Sequence, residues 1–208
     1  MGYLDVDRAG WESMALKACE IRDWAQRTAS SDVFKAVEAA AHIPLPWYAC
    51  QALATIAEVD AAHRRELLDA AFEAAAHGHD EYQRVAAASW PLGVAVRTGV
   101  ANVAGQRLPA LLEDLEGESN RGSKAYALDR LLAAVWNTPL RPLVVGSMKT
   151  ALQDSAGWLE SYIASHMVYW LATTCGDRPL ALELLEAIPE NRFKRQAQRR
   201  LQADGGQG

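Results

Sequence analysis

Apolar side chains recur every three or four residues along nearly the whole chain, which is the spacing of one face of an α-helix. Trp11, Met14, Ala15, Ala18, Cys19 and Ala25 form such a stripe and predict a first helix over about 7–28. "SSDVFKAVEAAAHIP" predicts a second, with Ser31 in position to cap it and Pro44 to stop it. Helices follow at about 46–58, opened by Pro46 near the first turn, and at about 61–76. Gly78 is expected in the left-handed position that ends the latter helix, and Asp80, with Gln83 three residues on, caps the next. That helix runs from 80 to about 98 and contains Pro91, which should kink it. Further helices are expected at about 106–117, 121–136, 140–154, 158–174, 178–187 and 190–202. No segment alternates apolar and polar residues long enough to predict a strand. The connections "HGH", "EGES", "NTP", "SAG" and "GD" are short and no linker divides the chain, so one domain is expected over 1–202. The glycine-rich end, 203–208, reads as a frayed tail.

One phrase is written more than once. "HIPLPWYACQALATI" (42–56) and "AIPENRFKRQAQRRL" (187–201) share Ile-Pro, an aromatic four residues after the proline, and Gln-Ala three residues later. Aligning the helices that contain Tyr48, Tyr82, Ser123, Ile163 and Phe193 gives steps of 34, 41, 40 and 30 residues. Two helices per step of roughly 30–45 residues is the period of an α-solenoid. Small residues at matched positions (Ala52, Ala86, Ala127 and Ala197) would let neighbouring helices approach closely, while Tyr48, Tyr82 and Phe193 would wedge between layers.

Composition agrees with helices. Alanine dominates the apolar residues, Phe is sparse, and only 23% of the 208 residues are charged, which argues against disorder. Cys19, Cys50 and Cys175 are odd in number and widely spaced; they read as buried thiols of a reducing cytosol, not as a disulfide framework or zinc knot. "MGYLDVDRAGWESM" has neither the basic start nor the apolar core of a signal peptide, and no run of about 18 apolar residues suggests a membrane span. The net charge of −5 divides unevenly: residues 1–120 carry 10 Lys/Arg against 18 Asp/Glu (−8), and 121–208 carry 11 against 8 (+3).

Candidate chemistry is thin. "HGHDE" (77–81) gathers four possible metal ligands, but Gly78 and Asp80 have structural duties, so a solvated loop is the expectation and no metal or cofactor is assigned. "VVGSMKT" (144–150) lacks the GxxxxGK[ST] spacing of a phosphate loop and follows no strand. No GxSxG or S-x-x-K occurs, and no catalytic activity is expected. Most of the seven tryptophans are expected in the core, but Trp47-Tyr48 and Tyr169-Trp170 are candidate interface anchors, one ring of each pair packing while the other is exposed. "NRFKRQAQRR" places Arg192, Arg195 and Arg199 on one helix face, either as the polar face of a terminal repeat or as a cationic patch.

The alanine-rich first helices with Pro91, together with Gly176-Asp177, Ala181, Leu185 and Pro189 of "WLATTCGDRPLALELLEAIP", resemble HEAT and TPR-like helical repeats. That resemblance implies an all-α fold, a right-handed HEAT-like α-solenoid of about five helical hairpins. It implies a module that binds another protein or a peptide as scaffold, adaptor or inhibitor. HEAT-like DNA glycosylases grip DNA with such a fold, so nucleic-acid binding through the basic C-terminal helix is the alternative.

Overall fold

The computed structural model describes residues 8–153, Val168 and 176–204. It is all-helical, and no strand occurs among the described residues. The helices are α1 (Arg8–Thr28), α2 (Val33–Ala41), α3 (Pro46–Val59), α4 (Arg64–Ala76), α5 (Glu81–Arg97) and α6 (Ala101–Glu116). They continue as α7 (Arg121–Val135), α8 (Arg141–Gln153), α9 (Arg178–Ala187) and α10 (Arg192–Asp204). The helix expected at 158–174 lies outside the described residues, as does the tail beyond Asp204.

Local chemistry sets the boundaries. Asp32, not Ser31, caps α2, its Oδ1 accepting from the Lys35 amide at 3.1 Å. Ser31 instead donates its hydroxyl to the Thr28 carbonyl at 3.1 Å and so closes α1. α4 starts at Arg64, later than the pattern suggests, because the Asp60 carboxylate holds the amide of Ala62 (2.9 Å) and the ring of His63 (2.8 Å) in a turn. Asp80 caps α5 through the Gln83 amide at 2.7 Å, and Gln83 returns the bond one residue early, to the His79 amide at 3.3 Å. α5 ends in a Schellman motif: Gly99 has φ 78°, Val100 N–H donates to Ala95 and Gly99 N–H to Val96. The immediate reversal lets α6 begin at Ala101, about five residues before the pattern indicated. Asn120 caps α7, and Asp177, after Gly176 at φ 69°, caps α9.

Gly78 is a correction. Its φ is not positive. A Cβ there would lie 2.8 Å from the Arg84 amide nitrogen and 3.1 Å from Arg84 Cγ, so glycine is needed for close approach, not for handedness.

Packing gathers the chain into two compact units, Met1–Asp114 and Leu115–Gly208. In the first, α3 packs on α1, α2, α4 and α5, and α2 and α4 pack on the helices that precede them. Two bonds set the register of α1 against α3: Arg22 Nη1 donates to Gln51 Oε1 (2.8 Å) and Gln26 Nε2 to Thr55 Oγ1 (3.0 Å), each 29 residues apart. Both residue numbers rise together, so α1 and α3 run parallel. α3 and α5 are parallel by the same reasoning, with Cys50 against Ala87 and Glu58 against Arg97. Arg107 of α6 reaches back to α4, pairing with Asp69 at 2.9 Å and lying over the Phe72 ring at 5.3 Å. The fork of Arg84 on Asp114 (2.9 and 2.7 Å) ties α5 to α6.

Alanine dominates the seam. Ala18, Ala25, Ala52, Ala86 and Ala87 are all buried, and so is Cys50. Axes separated only by such side chains leave no room for an indole between them. The five described tryptophans are accordingly not fully buried, which corrects the expectation that most are core. Trp11 is 49% and Trp24 44% exposed, and Trp47, Trp90 and Trp136 are half-buried. Leucines such as Leu68, Leu92 and Leu108 supply the large buried volume.

Pro91 lies within α5 and has no N–H for the Ala87 carbonyl four residues back. The Cys50 thiol fills that gap, donating to the Ala87 oxygen at 3.3 Å. Burial pushes the thiol's pKa up, which keeps it protonated and able to donate.

In the second unit, α8 packs on α7 and α9, and α9 on α10. Arg141 covers the Trp136 ring at 4.5 Å and donates to Asp177 at 2.7 Å, and Lys149 pairs with Glu183. The buried Lys194 donates to the carbonyls of Ile188 (2.9 Å) and Glu186 (3.3 Å). Its charge thereby satisfies the C-terminal end of α9.

Candidate functional site

The parallel register of the first unit creates a pocket. An offset of 29 residues places Ala18 of α1 level with Trp47 of α3. Roughly two turns of α1 therefore overhang the start of α3 and form a wall. Trp11, in the first turn of α1, lines it. The α2–α3 turn and the start of α3 supply Leu45, Pro46, Trp47 and Tyr48. The α4–α5 turn and the start of α5 supply His77, His79, Tyr82 and Gln83. The cavity is half open, with a volume of about 500 Å³, within the range of small-molecule and peptide-side-chain sites.

Trp47 and Tyr48 are held from behind. Trp47 packs edge-on against Trp90 (5.4 Å between centroids, 73°) and tilted against Tyr82 (6.2 Å). Tyr48 lies under the Arg22 guanidinium at 5.1 Å. Arg22 is fixed in turn by Asp23 (2.6 Å) and by Gln51, the buried glutamine of the repeated phrase. The His79 backbone N–H donates to Gln83 Oε1, which leaves the Gln83 NH₂ group as a donor. The backbone of the His77–Asp80 turn is fixed by Gly78 against Arg84, whose guanidinium binds Asp114 and Glu81.

The anticipated anchors divide. Trp47 and Tyr48 are both half-buried and both line the pocket, where one exposed and one packed ring was expected. Tyr169 and Trp170 lie outside the described residues. Arg192, Arg195 and Arg199 belong to α10 of the second unit and are exposed. Arg192 lies over the Phe193 ring at 4.6 Å, Arg195 pairs with Glu190 at 3.0 Å, and Arg199 Nε donates to the Arg195 carbonyl at 3.3 Å. Lys194 of the same basic run is withdrawn into the core.

Sequence reasoning singled out "HIPLPWYACQ" and "HGHDE" separately and did not join them. It also placed Trp11 on a buried stripe. The available signal was the position of the rings: Trp47, Tyr48 and Tyr82 all fall in the first turn of a helix that follows a short turn. Parallel helices bring such first turns together. No group of three or more His, Cys, Asp or Glu able to hold a metal ion occurs among the described residues. No helix among them is long and apolar enough to cross a membrane. Comparison with protein-family models, with curated proteins and with solved structures returns no match for this chain.

Proposed function

We propose that this chain is a recognition module, a right-handed α-solenoid of about five helical hairpins that holds a segment of another protein without transforming it. Parallel α1, α3 and α5, with α2 and α4 as return helices, support the hairpin reading. So do polar cross-links 29 to 39 residues apart, about one repeat length. The observation that carries the binding reading is the half-open pocket lined by Trp11, Trp47, Tyr48 and Tyr82. Trp47 and Tyr48, held in place by neighbours, lose little entropy on binding, which suits them as anchors.

The test is a selection of random peptides displayed on phage against the immobilised full chain, with the Trp11→Ala variant as counter-target. Enriched peptides that bind the wild type and lose affinity to the variant support the reading. No enrichment, or equal binding to both, overturns it.

A second reading is nucleic-acid binding through α10, favoured by the shared exposure of Arg192, Arg195 and Arg199. It predicts a salt-dependent mobility shift of plain duplex DNA. Absence of retardation at low salt ends that reading.

A further inference from the structure

The pocket's own chemistry narrows what it accepts; the inference rests on its being a peptide site. Among the described residues its lining carries no Asp, Glu, Lys or Arg. Two features work against a cation. The Arg22 guanidinium already lies on Tyr48 at 5.1 Å, and α3 and α5 present their N-termini to the cavity, where the backbone carries positive partial charge. Two features work against an anion. Part of the amide set that would hold it is missing or spent: Pro46 has none, Tyr48 and Ala49 donate to the Leu45 carbonyl, and Gln83 donates to Asp80. The unit of residues 1–114 also carries 16 Asp/Glu against 10 Lys/Arg, net −6.

These features favour a neutral ligand, and the lining says more about it. None of the described rings is phenylalanine. Tryptophan and histidine each present an apolar face together with an N–H, the tyrosines add aromatic faces, and Gln83 adds its NH₂ group. Such a surface suits a ligand with apolar faces, carbonyl acceptors and few donors of its own. A proline-rich segment has that character: its rings are apolar, its imide nitrogens carry no hydrogen, and its carbonyls point outward from the polyproline II helix. That helix is already ordered, so docking it on an aromatic groove costs little entropy.

We propose that the pocket formed by Trp11, Trp47, Tyr48 and Tyr82 at the starts of α1, α3 and α5 binds a proline-rich segment of a partner protein in polyproline II conformation, with basic residues flanking the prolines. The flanks follow from charge complementarity with the acidic unit that surrounds the neutral cavity.

The test is calorimetric titration of the full chain with a short synthetic peptide carrying Pro-x-x-Pro between lysines. The same peptide with alanine for every proline, and tetramethylammonium chloride as a bare cation, are titrated alongside. Expected are saturable binding of the proline peptide, at least about tenfold weaker binding in Trp11→Ala, and unchanged binding in Trp24→Ala. Trp24 is an exposed indole of the same helix that does not line the pocket, so it controls for loss of folding. No saturation at millimolar peptide, equal affinity of the alanine peptide, or stronger binding of tetramethylammonium overturns the proposal. If display-selected peptides still depend on Trp11 in that event, the peptide-binding reading survives and only the proline class falls.

Discussion

Single residues carry opposite duties in this chain even when they are of one type. Gly78 faces the Arg84 backbone with no space for a methyl group, whereas a Cβ on Gly146, in mid-helix α8, meets nothing within 4 Å. Gly78→Ala should cost about 1–3 kcal/mol through displacement of the α4–α5 turn. Gly146→Ala should stabilise by about 0.5–1 kcal/mol through reduced freedom of the unfolded chain. Urea midpoints of the two variants check both signs. Asp60 and His63 make a pH-sensitive pair at the start of α4. The side-chain hydrogen bond from His63 holds the Asp60 carboxyl below its ordinary value, and the same bond raises the imidazole above its own. A raised imidazole contributes stability below its ordinary pKa of about 6.5 and loses it as pH climbs through the folded value. A lowered carboxyl contributes above about 4 and loses it as pH falls through the folded value. The pair therefore acts between those limits. An NMR titration should give His63 a higher midpoint in the wild type than in Asp60→Asn, and equal midpoints would contradict the geometry.

At the scale of elements, helix existence was readable because the signals are local. Pro46 opens α3, Asp80 caps α5, and Gly176-Asp177 starts α9 where the pattern placed them. What lay beyond the pattern depends on partners remote in sequence. Nothing around Pro91 reveals that a cysteine 41 positions earlier takes the carbonyl it leaves free, and nothing local to the tryptophans reveals that alanine-lined seams exclude them. The α3–α5 seam makes a direct prediction. Cys50→Ala should destabilise by about 1–2 kcal/mol, from the unpaired Ala87 carbonyl and the vacated volume. In a Pro91→Ala background, which restores a backbone N–H to that carbonyl, the same substitution should cost less. A double-mutant cycle by chemical denaturation measures the coupling, and strict additivity would show that the thiol does not serve the proline gap.

At the scale of the molecule, the candidate site arises from order in one unit. Parallel α1, α3 and α5 place the starts of α3 and α5 side by side beneath the overhanging first turns of α1, and the rings there become one pocket. The sequence displayed each ring but not the register that unites them, since that register depends on Arg22 meeting Gln51 and Gln26 meeting Thr55. Reversing Arg192, Arg195 and Arg199 to Glu should leave peptide affinity within about twofold, a change under about 0.5 kcal/mol, because the binding reading uses the first unit; a larger loss in calorimetry would move the site to α10. The most direct test of the account follows the indole N–H resonances of the tryptophans by NMR during titration with the proline peptide, each assigned by substitution to Phe. The account predicts that Trp11 and Trp47 shift together along one saturating curve while Trp24 and Trp136 stay in place. Shifts confined to Trp24 or Trp136, or no saturating shift at any indole, would contradict it.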